Sequence, residues 1–532
     1  MQRGAGRAVH APKREEHFMR SSGLLLHIAS LPNDSGIGTM GRETYAFVDY
    51  LEQCGQSVWQ VLPLSPTSYG DSPYQSFSVF AGNPYLISLE FLERDGLLKS
   101  DVYKKTDLFT DPRRIDYGLL YETLFPILKL AFARFDLTDA AFCAYCADNS
   151  EWLREYGLFM ALKDAHDGLP WNAWEKPLRE RDTAAIAQAK LKFAAEIDFW
   201  CFLQYQFYAQ WTALKRYANG KGIQIIGDIP IYCAYDSVDV WCEPALFQLD
   251  EALNPIVVAG FPPDAFSPDG QLWGNPIYDW EKMQADGFRW WIKRIAFAKS
   301  IYDTVRIDHF IGFNRYYAIP FGSPTARGGH WAEGPGYVLF QAVKAATGKG
   351  GIIAEDLGII TPAVRKLLRE CGYPGMKVLQ FGFSPDGDSA YLPQNYTSPN
   401  CVVYTGTHDN ETVMGWVKSA DKKTLGFCKS YLGVRKNAEI AWGFIDLAWK
   451  SIARISVTTV QDLCGYGNEA RINTPSTLGG NWQWRALPSD FSDSNAQRLR
   501  ELTALSNRLH GVKKTAIKTK KGATLRRRNE QE

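Results

Sequence analysis

Short runs of consecutive apolar residues alternate along the chain with longer stretches whose apolar residues recur at helical spacing. The runs fall at 24–28, 58–64, 223–231, 302–310, 351–356, 376–383, 401–405 and 455–463. Each is apolar throughout rather than alternating, which is the pattern of strands buried on both faces of a parallel sheet. Between the first two, Phe47, Val48, Leu51 and Cys54 share one helical face, and Gly55 follows as a stop. Residues 65–222 read mostly as loops and helices; the most prominent helix, 191–217, is packed with aromatics and ends at Asn219-Gly220. A helix is predicted over 288–300, and Thr361 with Pro362 reads as an N-cap followed by proline at the first helical position. Eight apolar runs separated by helices match the strand count of a closed (β/α)8 barrel.

The polar residues support closure. Asp228, Arg306, Asp308, Glu355, His408 and Asp409 all fall at the C-terminal ends of apolar runs. A barrel gathers those ends at one face, where its active sites lie; an open doubly wound sheet would not converge so many. The predicted fold class is therefore α/β, a TIM barrel with large, mostly helical and loop insertions. The main insertion spans about 65–222, and a loop at about 260–275 borders the mouth.

Charge refines this picture at the ends. The net charge is +1, which provides no overall field for nucleic acid. Yet residues 511–532 carry eight Lys or Arg against two Glu, and residues 1–20 carry five against two. The reading is a mildly acidic catalytic unit over 21–510 between a flexible N-terminal tail, 1–20, and a basic disordered tail, 511–532. The first twenty residues lack the apolar core of a secretory signal, and no apolar run reaches the ~18 residues of a membrane helix. Cytoplasmic location and reduced thiols follow as expectations. Cys143 and Cys146 form a Cys-x-x-Cys without a second pair or a histidine at ligand spacing. A zinc site needs four ligands, so the pair is read as helical packing and no metal is expected.

Three carboxylates at one mouth, in VRIDHF, IIAEDLG and YTGTHDN, suit glycosidic-bond chemistry. That chemistry needs a nucleophilic or basic carboxylate and a protonated acid flanking the bond, and a further anion stabilises the oxocarbenium-like transition state. Sugars also call for aromatic platforms. Tyr69, Tyr74, Phe77, Phe80 and Tyr85 lie in one turn-rich segment, and Phe261, Phe266, Trp273 and Trp280 in another, the latter among Asp264, Asp269 and Gln271. Both groups are read as exposed platforms at the mouth. Gly260, Gly270 and Gly274 are read as hinges of the second segment.

These residues bring the chain to a resemblance. LLLHIASLP, YGDSPYQSFSVFAGNPYLI, IIGDIPIY, GFPPDAFSPDGQLWGNP, VRIDHF, IIAEDLG and YTGTHDN, in this order, closely resemble the 4-α-glucanotransferases called amylomaltase or disproportionating enzyme, relatives of the α-amylase group. The resemblance covers residues 23–509. It places the nucleophile on Asp308, the general acid/base on Glu355 and the transition-state-stabilising acid on Asp409. Arg306, His408 and Asp228 match residues that hold the sugar and the nucleophile. Tyr74 matches a tyrosine stacking at the donor subsite, and Tyr69 a second glucan-contacting tyrosine. Asp264, Gln271 and Trp273 match a mobile loop on the acceptor side, and Phe381 and Asn473 match weaker sugar contacts. The resemblance also implies a barrel without a C-terminal β-domain. In agreement, only about 70 residues follow the last apolar run, including a helix predicted over 496–509.

The implied activity is retaining transfer of α-1,4-glucan segments to the 4-hydroxyl of another glucan or glucose, without a cofactor and with no nucleic-acid or membrane partner. A retaining α-1,4-glucan hydrolase is the alternative, since the residues alone distinguish water from sugar as acceptor poorly. A non-catalytic glucan-binding scaffold would have lost an acid, and all three are present. A phosphate-binding barrel would carry a glycine-rich loop where THDNETV stands.

Overall fold

The computed structural model describes residues 20–68, 70–104, 106, 108, 110–263, 267–384, 389–477 and 479–510. The two tails (Arg20 excepted), Tyr69, Asp264 and Phe266 lie outside the described residues. Eight parallel strands form one sheet: β1 (Ser21–Leu25), β2 (Val58–Gln60), β3 (Gln224–Ile229), β4 (Thr304–Ile307), β5 (Ile352–Ala354), β6 (Gly375–Val378), β7 (Cys401–Tyr404) and β8 (Ile455–Thr459). Their spatial order is β6-β7-β8-β1-β2-β3-β4-β5, so each is hydrogen-bonded to its neighbours in chain order except at the β5–β6 seam. There the Ala354 N–H donates to Pro374 O at 2.9 Å and closes the ring. The fold is a (β/α)8 barrel with helical insertions, and each strand falls at one of the eight apolar runs. Except for β1, which is as long as its run and begins three residues before it, the strands are shorter than those runs because the ladder ends where the chain turns outward at the mouth.

The barrel interior is filled by Leu25, Val58, Ile226, Ile353, Met376, Val378, Val402, Tyr404 and Val457, all buried in one cluster. Alternate residues face the helices instead, as a pleated strand requires. Inside the barrel, the Tyr404 hydroxyl donates to Gln60 Oε1 at 2.9 Å. Gly227 is required on the outer side of β3, since a Cβ there would stand 2.2 Å from the Tyr302 ring.

The 27-residue helix Ala194–Gly220 anchors the first insertion. Its buried Gln204 takes the Gly82 N–H and gives to Gly82 O, at 2.7 and 2.9 Å. Its Gln210 does the same at Ser88, at 2.8 and 3.4 Å. Two glutamines thus act as pieces of backbone and tie down the turn-rich segment that follows β2. Phe80 packs on Trp152 and Phe297 and Trp280 on Tyr278 and Trp291, so both are core residues rather than the exposed platforms expected from their turn-rich context. Cys143 corrects a second expectation: it lies in the predicted helix, Ala140–Asp148, but is exposed rather than packed.

A second sheet was not anticipated. Four antiparallel strands, Gln271–Pro276, Val257–Phe261, Arg315–Pro320 and His330–Glu333, pair in that order. The stretch expected as a loop at 260–275 is thus largely a β-hairpin. Gly260 and Gly270 have a second, steric reason to be glycine: a Cβ on Gly260 would meet Gln271 O at 2.2 Å, and one on Gly270 would meet Phe261 O at 2.5 Å. They allow the two hairpin strands to approach. Gly274, with φ +79°, has open space around it.

At the barrel's other face, two guanidiniums tie the ends of the described chain together. Arg508, fully buried, donates to the carbonyls of Trp449, Ser21, Arg454, Ser451 and Ala453 at 2.8–3.4 Å. Arg20 reaches Ser506 O and Trp449 O at 3.0 and 2.8 Å. Burial pushes the Arg508 guanidinium down to about 9, further lowered by the adjacent Arg20. It sits beyond the helix Ile440–Lys450, whose last carbonyls it caps. Arg508→Met removes this donor from Ser21 O and Ala453 O and leaves Trp449 O and Ser451 O to Arg20 alone, a loss of about 3 kcal/mol. Scanning fluorimetry should show a clearly lower melting temperature, with transfer activity at 25 °C unchanged because the mouth is at the opposite end.

Candidate active site

Register decides which polar residues meet. β3 and β4 pair Asp228 directly with Arg306. β4 and β5 pair Ile307 with Ala354, so Asp308 and Glu355, the next residue of each strand, emerge side by side. The backbone continues the arrangement past the ladder: Asp308 N–H donates to Ile229 O at 2.9 Å, and Glu355 N–H to Ile307 O at 3.1 Å.

Arg306 is buried, and its Nη1 stands 2.6 Å from Asp228 Oδ2 and 3.1 Å from Asp308 Oδ1. Burial alone would lower its pKa, but Asp228 and then Asp308 hold it well above the ordinary arginine value. The Tyr74 hydroxyl donates to the same Asp228 oxygen at 2.9 Å. The Tyr74 ring stacks on His408, with centroids 5.2 Å apart and planes 14° from parallel. His408 Nε2 lies 3.2 Å from Asp409 Oδ2, and Asn473 Nδ2 donates to Asp409 Oδ1 at 2.6 Å.

The three acids therefore have different environments. Burial pushes Asp308 up to about 6, against the pull of Arg306. Burial, and then the negative charge of Asp308, pushes Glu355 further, to about 8. Burial also acts on Asp409, but His408 and Asn473 outweigh it and hold that carboxyl down to about 2. Of these three acids Glu355 holds its proton most tightly and Asp409 least. Such a separation of neighbouring acids assigns an acid role and a nucleophile role to a pair.

Glu355 is held on both oxygens by backbone: Oε2 takes the His309 N–H at 2.6 Å, and Oε1 the Leu357 N–H at 3.0 Å. His309 donates that bond from a left-handed conformation, φ 49°. Its ring meets Trp273 edge-on, with centroids 4.8 Å apart. Trp273 in turn donates from Nε1 to Gln271 Oε1 at 3.1 Å. The antiparallel hairpin thus reaches the acid through one histidine.

Of the residues singled out in the sequence, Asp308, Glu355, Asp409, Arg306, Asp228, His408, Tyr74 and Asn473 form one connected group. Trp273 and Gln271 join it through His309. Phe381 stands apart: its ring, 45% exposed, meets Tyr391 edge-on. Four residues in or beside the group were missed. Trp482 flanks both Tyr74 and His408, with centroids 5.8 and 5.9 Å away. Burial, and then its neighbour His408, lowers the pKa of His27 to about 3. Arg471 donates to Asp409 O and Asn473 O, at 2.7 and 2.8 Å, and so aligns the amide with the carboxylate it serves. His309 is the fourth. Only Trp482, in the turn-rich GGNWQW, carried a composition signal like that of the other platforms.

Comparison with known proteins adds a family pattern. The family described as 4-alpha-glucanotransferase matches residues 26–489. The chain is 46% identical to a 4-alpha-glucanotransferase of Clostridium butyricum over 486 residues, which are 91% of this chain and 100% of that one. It is 47% identical to a 4-alpha-glucanotransferase of Thermus thermophilus over 501 residues, 92% of this chain and 99% of the other. Among solved structures it is similar to an amylomaltase from Streptococcus agalactiae in complex with acarbose, with a TM-score of 0.90 and 41% identity over 92% of this chain and 100% of that one.

Proposed function

The chain belongs to the 4-alpha-glucanotransferase family, and from that premise we propose how its residues divide the work. The protein is a glycosyl-transferring enzyme of α-glucans, not a hydrolase that happens to share its barrel. Residues 21–510 make up the catalytic unit. Among the described residues no helix is long and apolar enough to cross a membrane.

The observation that carries the reading is the emergence of Asp308 and Glu355 from paired strands with their proton affinities separated. Ionised Asp308 attacks the anomeric carbon of the donor while protonated Glu355 gives its proton to the departing 4-oxygen. The shortened glucan leaves, and its remaining part stays bound to Asp308. Glu355, now a carboxylate, takes the proton from the 4-hydroxyl of an acceptor. That oxygen attacks the same carbon and frees Asp308. Each proton lost in one half is returned in the other, so the cycle uses no cofactor. Arg306 steadies the Asp308 carboxylate, Asp409 faces the developing positive charge, and Tyr74 with His408 forms the floor of the donor sugar site. Asp228 anchors Arg306 and Tyr74. Asn473 aligns Asp409, and Phe381 offers a more distant sugar contact.

Maltotriose tests the reading directly. Product chromatography should show glucose together with a ladder of longer glucans. Maltose and glucose alone would mean hydrolysis and overturn it.

Transfer must compete with water at about 55 M against millimolar sugar, so the acceptor needs a preference of roughly 10⁴-fold. The hairpin is placed for this. Trp273 packs edge-on against His309, whose N–H holds Glu355; the Trp273 carbonyl takes the Gln75 Nε2 at 3.4 Å, and Gln75 also donates to Asn275 Oδ1 at 3.0 Å. Asp269, just before the second hairpin strand, is fastened as well, with Ala326 N–H on Asp269 O at 3.0 Å and Arg327 Nε on Asp269 Oδ1 at 2.7 Å. Trp273→Ala removes the ring packed on His309 and the Gln271 partner without touching the carboxylates. The ratio of hydrolysis to transfer should rise about tenfold, read as reducing ends formed per glucose released. An unchanged ratio would place acceptor preference elsewhere.

A further inference from the structure

The weakest part of the barrel ladder lies beside the acid/base. β5, which ends at Glu355, is bonded to β4 in regular register but has no ladder to β6. Two hydrogen bonds cross that seam. One is Ala354 N–H to Pro374 O. The other comes from a side chain: Asp356 Oδ1 takes the Met376 N–H at 2.6 Å. Gly375 lies against this carboxylate so closely that a Cβ there would stand 2.5 Å from Asp356 Oδ2. The seam is therefore shaped around a carboxylate, immediately after Glu355 in the chain.

We propose that Asp356 is a positioning residue for the acid/base: its carboxylate replaces the missing ladder on one side of Glu355, and its charge helps keep Glu355 protonated. The inference rests on the assignment of Glu355 as acid/base. Of the two sides of Glu355, the β4 side is fixed by backbone and by the His309 N–H. The β6 side is fixed by Asp356, because Met376 is the first inward-facing residue of β6 and its N–H is the group held. Loss of this bond leaves Ala354 N–H on Pro374 O as the remaining tie across the seam and loosens the end of β5 that carries Glu355.

The charge acts in the same place. The groups facing Glu355 are Asp308 and Arg306 on β4, Asp356 on its own strand end and Tyr391 in the connection after β6. Those facing Asp356 are Lys377 on β6, Cys401 on β7 and Tyr391 in the connection after β6. Asp356 is held above the ordinary aspartate value by burial, against its bond from Met376 and the charge of Lys377. An anion beside Glu355 favours its neutral form, the form required to protonate a leaving sugar.

Two variants separate geometry from charge. Asp356→Asn keeps an oxygen that accepts from Met376 N–H and removes the charge. The alkaline limb of kcat/KM against pH, which reports loss of the Glu355 proton, should move to lower pH by roughly half a unit. Asp356→Ala also removes the bond, and kcat should fall about tenfold more than in Asp356→Asn, with KM for maltotriose within about twofold. An alkaline limb in Asp356→Asn that superimposes on the wild type overturns the proposal, and this variant preserves the seam if the alanine fails to fold. A wild-type profile with no alkaline limb, or full activity in Glu355→Gln, would instead overturn the assignment of Glu355 itself.

Discussion

Asp308→Ala should lose transfer from every donor, by at least about 10⁴-fold in kcat, and should regain turnover with azide in a way that identifies its role. With the carboxylate gone there is no group to form the covalent intermediate, and no choice of leaving group helps. Azide entering the space left by the side chain attacks the anomeric carbon once, so an α-glucosyl fluoride donor yields the β-glucosyl azide. Glu355→Ala should respond with the opposite stereochemistry. Its Asp308 is intact and still attacks a fluoride donor, whose leaving group needs no proton. Azide then replaces Asp308 without needing a base, and two displacements give the α-glucosyl azide. Natural maltodextrins, whose departing oxygen must be protonated, should remain poor donors for this variant by about 10³-fold. Nuclear magnetic resonance of the two azides distinguishes them. The same anomer from both variants would mean that the roles of Asp308 and Glu355, emerging together from β4 and β5, are assigned the wrong way round.

The barrel strands were legible because a parallel sheet covered by helices needs apolar residues on both faces, so each strand is written as an unbroken run. Their ends were legible for the converse reason: charged residues next to such runs must be used or paired. The partners were less legible. That Asp228 meets Arg306 depends on how β3 is staggered against β4, and nothing local to either strand encodes the stagger. The second sheet was hidden by its composition. Its strands are interrupted by Gly260, Gly274 and Pro276, which read as loop, and it is stabilised by pairing between distant segments such as Val257 with Pro320. Gln204 and Gln210 looked like ordinary polar positions in an aromatic helix; their function is to satisfy backbone groups more than a hundred residues away. The aromatics failed in the other direction. Turn-rich surroundings mark a segment without helix or strand, not an exposed one, and Phe80 lies in such a segment yet inside the core.

Arg306→Ala should cost about 10³-fold in kcat/KM and move the acid limb of the profile upward, the second effect identifying the cause of the first. In the wild type this buried cation serves two carboxylates at once. Asp228, 1% exposed, would keep only the Tyr74 hydroxyl, and breaking a buried ion pair by removing one partner costs about 3–5 kcal/mol. The protein avoids part of that cost by taking up a proton. Asp308 is the carboxyl already raised, to about 6 by burial, with Arg306 as the largest force holding it down. Without the guanidinium its pKa rises further. The reactive form is the ionised one, so activity is lost as pH falls through that pKa, and a raised pKa moves the loss to higher pH. A shift of about one unit or more is expected. Arg306→Lys restores the charge but not the rigid, planar group that sets Nη1 against both Asp228 and Asp308; it should recover part of the rate and most of the limb position. The limb is the decisive reading. A large loss of rate in Arg306→Ala with the acid limb unmoved would mean that the arginine only holds the mouth in shape and leaves the charge state of Asp308 to other groups.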